Sequence, residues 1–316
     1  MGEMLVQVDT LNIDAASFRQ MEEAAAAVGG TVEARVLETV RQRGKQHNPV
    51  TGSGGMLLGR VAELAPGRPA GETIGSGDRV ASLVSLSLTP LRIDEVRAVR
   101  ASSAQIDIVG EAVLFASSAY AKMPSDFSDR VALAALDVAG AAPQVARLAS
   151  RLGATPVIVI LGGGGKSGIL CAYEARRTAG EHATVIAVES HEPYALELEG
   201  LRVCNAVVRA DARDPIATRG SVLARTEGRE ADLVLSCVNT GGTELASILC
   251  ARDRGVVYFF AMSTSFTGAA LGAEGVGKDV DLLIGNGFAH GHAEHTLDLL
   301  RESAAVRALF DRRYGA

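Results

Sequence analysis

No tryptophan occurs in the 316 residues, and aromatic residues supply only 4% of them. A core without large rings must close on small and branched residues, which suits helices lying close on a sheet. Cysteine is scarce and dispersed. Of Cys171, Cys204, Cys237 and Cys250, the nearest two are 13 residues apart, and three fall in apolar runs. That spacing reads as buried free thiols in a reducing compartment rather than a disulfide framework. No apolar run approaches the length of a membrane span, and Met1 to Thr10 has neither the basic start nor the apolar core of a signal peptide. Nor does one sign of charge dominate: the net charge is −6, and the 31 Lys and Arg are scattered. Neither nucleic acid nor a membrane is expected as a partner. These absences point to a soluble cytoplasmic protein. Its length and 47% hydrophobic content suffice for two domains.

What is present is most informative from Val157 to Tyr173, VIVILGGGGKSGILCAY. Five apolar residues read as a buried parallel strand, a glycine-packed turn follows, and a small-residue helix starts near Ser167. Gly163, Gly165 and Gly168 fit the G-x-G-x-x-G spacing. The first allows the tight turn, the second lets a pyrophosphate approach the backbone, and the third lets helix and strand pack closely. The helix N-terminus adds free N–H groups and a partial positive charge. Gly165-Lys166-Ser167 imitates the end of a phosphate-binding loop for nucleoside triphosphates. That loop needs a glycine at position 160, which is Ile. Lys166 is either a pyrophosphate contact or a solvated lysine at a helix start.

The pattern then repeats. Thr184 to Glu189, Ala206 to Ala210, Asp232 to Val238, Val256 to Met262 and Val280 to Asn286 are short apolar runs separated by helical or polar segments. Such alternation predicts a doubly wound parallel Rossmann sheet. Glu189 ends the second strand, where an acid binds the ribose hydroxyls of NAD and repels the phosphate of NADP. NAD is therefore the expected cofactor, with NADP the alternative. Asn239 and Met262, at the ends of the fourth and fifth strands, are expected to border the nicotinamide half.

Before about residue 120 the chain is organised differently. Val6 and Val8 begin a strand, and Asp14 can cap a helix that starts near Ala15 and runs, broken at Gly29-Gly30, to about Arg43. Met56 to Val61, Arg79 to Leu88, Ile106 to Ile108 and Val113 to Phe115 read as strands between glycine-rich turns. The expected division is a smaller β-rich domain over 1–124 and a Rossmann domain over 125–316.

This arrangement resembles the medium-chain dehydrogenase/reductase superfamily, whose first domain is GroES-like. Where its zinc alcohol dehydrogenases place a Cys, this chain has Asn12-Ile13-Asp14; where they place Gly-His-Glu, it has Gly52-Ser53-Gly54. The zinc ligands are missing, so no metal is expected. LNIDAASF, NPVTGSGGML, LVSLSLTPLRIDE, ALAALDVAGA, GKSGILCAYEA and ALGAEGVGKD more closely resemble the L-erythro-3,5-diaminohexanoate dehydrogenase family of anaerobic lysine fermentation. Members of that family carry residues ahead of the position of Met1, so a leading strand is expected to be absent. The resemblance implies NAD-dependent oxidative deamination of an amino-acid substrate, in a homodimer.

That chemistry needs a base for an ammonium, a base for water, and grips for a carboxylate and a second ammonium. Asp137 sits on an otherwise apolar helix just before the first cofactor strand, where it either meets a substrate ammonium or holds the domains together. Asp14, if not merely a cap, and Lys45 stand next as catalytic candidates. Arg92 can fork onto a carboxylate and Asp94 hold an ammonium, or both can form a surface ion pair. His290, His292, Glu294 and His295 imitate a metal cluster but have no further ligand tied to them. Two other classes stay open. One is a zinc-free quinone or enoyl reductase, which would favour an Arg or Lys near Glu189. The other is a non-catalytic dinucleotide-binding protein.

Overall fold

The computed structural model describes residues 2–49, 52–68, 73–285 and 287–315. Contacts divide the chain into two units, Met1–Asp137 with Tyr314–Ala316, and Val138–Arg313.

In the first unit, the alternating MLVQVDTLN forms β1 (Met4–Asn12), with Met4, Val6 and Val8 facing the core. Asp14 accepts the Ser17 N–H at 2.8 Å and so starts α1 (Ala15–Ala27). Beyond the break at Gly29, Thr31 caps α2 (Val32–Arg43) in the same way. There follow β2 (Met56–Leu64), β3 (Arg79–Ser82), β4 (Leu91–Arg100), β5 (Gln105–Leu114), β6 (Tyr120–Lys122) and α3 (Asp129–Leu136). The strands pair antiparallel in the order β4-β5-β1-β2-β3-β6. Val36 and Val40 of α2 join Phe18, Leu57, Ile106 and Ile108 in the core.

Two expectations change here, and one strand was not expected. The strand from Arg79 stops at Ser82, whose Oγ accepts the Leu57 N–H at 2.9 Å, and Leu86–Leu88 is a single tight turn. The two pieces at Ile106 and Val113 are one strand, β5. The TPLRIDE segment lies at the start of β4, an edge strand that carries little buried surface.

The second unit runs α4 (Ala141–Ala149), β7 (Val157–Leu161), α5 (Lys166–Ala179), β8 (Thr184–Glu189), α6 (Glu192–Leu201), β9 (Ala206–Arg209), α7 (Pro215–Leu223), β10 (Ala231–Ser236), α8 (Glu244–Cys250), β11 (Ala251–Phe259), α9 (Phe266–Val276), β12 (Asp281–Ile284), α10 (His292–Glu302) and α11 (Ala304–Tyr314). All strand pairs are parallel, in the order β12-β11-β10-β7-β8-β9. Successive strands step outward one way from β7 and the other way from β10. The carboxyl ends of those two neighbours therefore flank the crevice where such sheets bind ligands. The expected strand end at Asn286 lies outside the described residues. The two units together are the expected α/β fold: a doubly wound parallel sheet preceded by a separate antiparallel one. Among the described residues no single helix is long and apolar enough to cross a membrane.

Candidate functional site

Four glycines build the turn after β7 and a fifth, Gly168, lies in the first turn of α5. Gly162 takes φ +76°, the left-handed conformation that makes the turn tight. Its N–H and that of Gly163 both donate to Val188 O, at 2.9 and 3.1 Å. The tight-turn role expected of Gly163 therefore belongs to Gly162. Gly163 is glycine because a Cβ there would sit 2.7 Å from Ala187 Cβ. At Gly164 a Cβ would sit 2.6 Å from Tyr194 Cβ and 2.8 Å from Glu189 Oε2, and at Gly168 it would overlap Gly162 O. Gly165 alone is open: its Cβ would meet only Gly162 O, at 3.7 Å. It caps α5 and, as a glycine, makes no side-chain cap hydrogen bond. A cradle left open at Gly165 and closed everywhere else fits a pyrophosphate. Lys166 and the buried Ser167 open the helix behind it.

Glu189 is buried at the end of β8 and already engaged. Oε2 accepts the Gly164 N–H at 3.0 Å, and Oε1 accepts the His191 N–H at 2.9 Å. Beside it the His191 and Tyr194 rings meet edge-on at 4.5 Å, and the Arg313 guanidinium lies 4.0 Å over Tyr194. Arg313 also donates to Gly164 O at 2.6 Å and pairs with Glu197. Reading the sequence missed Gly162, Gly164, Tyr194 and Arg313. The run of glycines was a signal for the first two; nothing local ties Arg313, on α11, to the turn. Asn239 and Met262 are exposed in the loops after β10 and β11, which Ser263 Oγ joins by donating to Val238 O at 2.9 Å.

Among the catalytic candidates, Asp137 lies one residue beyond α3, half-buried, with its N–H on Leu133 O at 2.9 Å. The helix leading into β7 is α4, so Asp137 is not on it. Lys45 is half-buried just after Gly44, the left-handed cap of α2. Asp14 uses only one carboxylate oxygen as a cap; Oδ2 is buried with no partner. Arg92 and Asp94 pair at 3.2 Å on β4, with Arg92 also 3.0 Å from Glu111, and their side chains are 64% and 49% exposed. That is the geometry of a solvated ion-pair cluster.

Asn12, Gln46 and His47 join Asp14 in leaving a buried side-chain atom unpartnered: Asn12 Nδ2, Gln46 Oε1 and His47 Nδ1. A cleft of about 510 Å³ also opens in this unit, but its Arg79 and Asp129 pair with each other at 2.6 Å, and Arg100 pairs with its Asp107.

The histidine-rich segment has other occupations. Burial lowers the His292 pKa, and His295 Nε2 lies 2.9 Å from Glu174 Oε2. Among the described residues no group of three His, Cys, Asp or Glu is placed to hold a metal ion.

The family model for the L-erythro-3,5-diaminohexanoate dehydrogenase N-terminal domain matches residues 1–124. Two curated proteins with that dehydrogenase's name are similar along nearly the whole chain. One, from Acetoanaerobium sticklandii, is 46% identical over 99% of this chain and 90% of its own length. The other, from Fusobacterium nucleatum, is 45% identical over the same shares. Among solved structures, a mycobacterial protein complexed with NADPH covers 99% of this chain and 88% of its own, with TM-score 0.63 and 17% identity. A Thermotoga maritima alcohol dehydrogenase covers 98% and 84%, with TM-score 0.61 and 16% identity.

Proposed function

We infer the reaction from family membership: the chain belongs to the L-erythro-3,5-diaminohexanoate dehydrogenase family. It is an oxidoreductase, and its proposed reaction converts 3,5-diaminohexanoate, NAD and water into 5-amino-3-oxohexanoate, ammonium, NADH and a proton. The observation that carries this reading is 46% identity spread over 99% of the chain. Likeness confined to the glycine turn would support nucleotide binding alone.

The cofactor, when bound, supplies the hydride acceptor. Gly165 and the first turn of α5 are proposed to hold its pyrophosphate, Glu189 its adenosine ribose, and Asn239 and Met262 to border the nicotinamide, with Lys166 and Ser167 at the phosphates. A carboxylate at the ribose disfavours a phosphate there, so the proposal is NAD over NADP. The remaining work falls to the chain's own side chains. An amine with a lysine-like pKa of ~10.4 costs about 4 to 5 kcal/mol to deprotonate at pH 7. Asp137, at the end of a helix buried from Val131 to Leu136, is the proposed acceptor of that proton. Lys45 is the next group to test. Arg92 and Asp94, being exposed and paired, are set aside as the substrate grip.

NADH formation followed at 340 nm with 3,5-diaminohexanoate, simple alcohols and quinones tests the reading. Turnover of the diamine alone supports it, and turnover of only the others overturns it. A preference for NADP in kcat/KM would remove Glu189 from the ribose. Asp137→Asn should lower kcat/KM at least ~100-fold with NAD binding intact, and the wild-type rate should climb from pH 7 toward 9.

We also propose a cytoplasmic homodimer. The four free cysteines suit a reducing compartment. Ile284 on the sheet-edge strand β12 and Leu271 on α9 are 62% and 63% exposed, which suits burial against a second copy. Sedimentation equilibrium tests this.

A further inference from the structure

Six buried side-chain atoms among the described residues lack a hydrogen-bond partner, and four belong to Asn12, Asp14, Gln46 and His47. These residues come from two separated segments that the fold brings together. Asn12 ends β1 between Met56 of β2 and Gln105 of β5. Gly55, at φ +78°, approaches Asn12 so closely that a Cβ would overlap its carbonyl oxygen. Gly54 approaches the Gln46 carbonyl in the same way. Asn48 and Gln46 are tied to α1, the helix that Asp14 caps: Asn48 Nδ2 donates to Gln20 Oε1 at 2.8 Å, and Gln46 Nε2 to the Met21 thioether at 3.6 Å. Asn12 and Gln46 are each 1% exposed.

The chemistry of the leftover atoms is one-sided. Gln46 spends one of its two amide hydrogens on Met21, and its oxygen has no partner. Asp14 spends one oxygen on the Ser17 N–H, so the other remains. His47 Nδ1 accepts in the tautomer with its proton on Nε2. Three acceptors, one of them a carboxylate oxygen, repel an anion and match the three N–H bonds of a primary ammonium. The single donor, Asn12 Nδ2, is left for an oxygen of the same ligand.

We propose that Asp14, Gln46 and His47 are the receptor for the substrate ammonium that does not react, the one on C5. This rests on the family reaction and refines it. A receptor of acceptors stabilises the charged amine, whereas the C3 ammonium has to lose its proton before hydride can leave. The site therefore sets specificity, and Asp14 belongs to it as an anchor rather than as the base.

The test is the full-length Gln46→Leu protein assayed on 3,5-diaminohexanoate and on 3-aminohexanoate, which lacks the C5 amine. KM for the diamine should rise at least ~10-fold with kcat changed much less, and the preference for the diamine over the monoamine should fall by at least ~10-fold. Because an unpartnered buried oxygen disappears, the melting temperature without substrate should hold or rise. Gln46→Glu, which keeps an acceptor, should keep the diamine preference. An unchanged preference in a well-folded Gln46→Leu protein overturns the proposal; should that variant not fold, His47→Leu is read in the same way. If the wild type oxidises neither amine, the family reaction fails, and the site is judged by thermal shift. Stabilisation by butylammonium chloride over sodium chloride, lost in Gln46→Leu, upholds an ammonium site; its absence overturns it.

Discussion

The turn around Gly162 and the junction around Asn12 are equally crowded, and they differ in what is left over. In both, glycines sit where a Cβ would collide with neighbouring backbone. In the turn Val188 O takes two N–H groups, and Glu189 takes two more. Around Asn12 and Gln46, four buried atoms have no partner. An orphaned buried polar atom costs about 1–3 kcal/mol, so a cluster of them is a strain that a ligand can relieve. One region offers backbone shape, the other side chains held unsatisfied.

The strongest way to break this contrast is to compare two glycines at the start of α5. Gly168→Ala puts a methyl onto Gly162 O and should cost more than ~3 kcal/mol, lowering the melting temperature by roughly 10 °C with loss of NADH binding. Gly165→Val points into the open cradle. It should melt within about 2 °C of wild type while weakening NADH binding at least ~100-fold, about 2.8 kcal/mol, by fluorescence titration. If both variants melt alike, the division between a packing glycine and a ligand glycine is wrong.

A buried charge with every oxygen occupied sharpens the same contrast. Burial pushes the Glu174 pKa up, but its bonds to His295 and Thr178 and the charge of Arg177 pull it down further, so the net shift is downward. A lowered carboxylate pKa stabilises the fold above the unfolded value, and that stability is lost as pH falls through the folded one. Glu174→Gln should therefore flatten the acid side of the stability curve below about pH 4.5, read by urea titration from pH 3 to 6. Unchanged acid sensitivity would show that Glu174 is not a source of it. The smallest effect is expected from Arg92→Ala: less than ~0.5 kcal/mol in stability and activity within about twofold. A tenfold rise in KM would return Arg92 to the substrate grip.

The strands of the second unit were legible because both faces are buried, which leaves continuous apolar runs such as VIVIL. β4 was not, since an edge strand that reads LRIDEVRAVR carries no buried stripe. β5 looked like two pieces because Gly110 interrupts it; a Cβ there would overlap Arg92 O on the neighbouring strand. α10 and α11 are separated at Ser303, whose side chain accepts the Val306 N–H at 3.3 Å. Asp14 showed its cap in the sequence, but its second oxygen acquires meaning only once Gln46 is folded against α1. The glycine spacing marked the tight turn after β7, but not which residue takes the left-handed conformation there.

The bond from Gly164 to Glu189 Oε2 has a kinetic side. A glycine-rich loop free in solution would have to be caught in the right shape before a nucleotide could settle. Here the Glu189 carboxylate already holds the loop closed, and Arg313 fastens it through the Gly164 carbonyl. For the proposed cofactor site, encounter rather than folding should then set the pace of capture, with an association rate constant on the order of 10⁶ M⁻¹s⁻¹ that scales with solvent viscosity. Differences in affinity among nicotinamide cofactors should accordingly appear in how long each one stays.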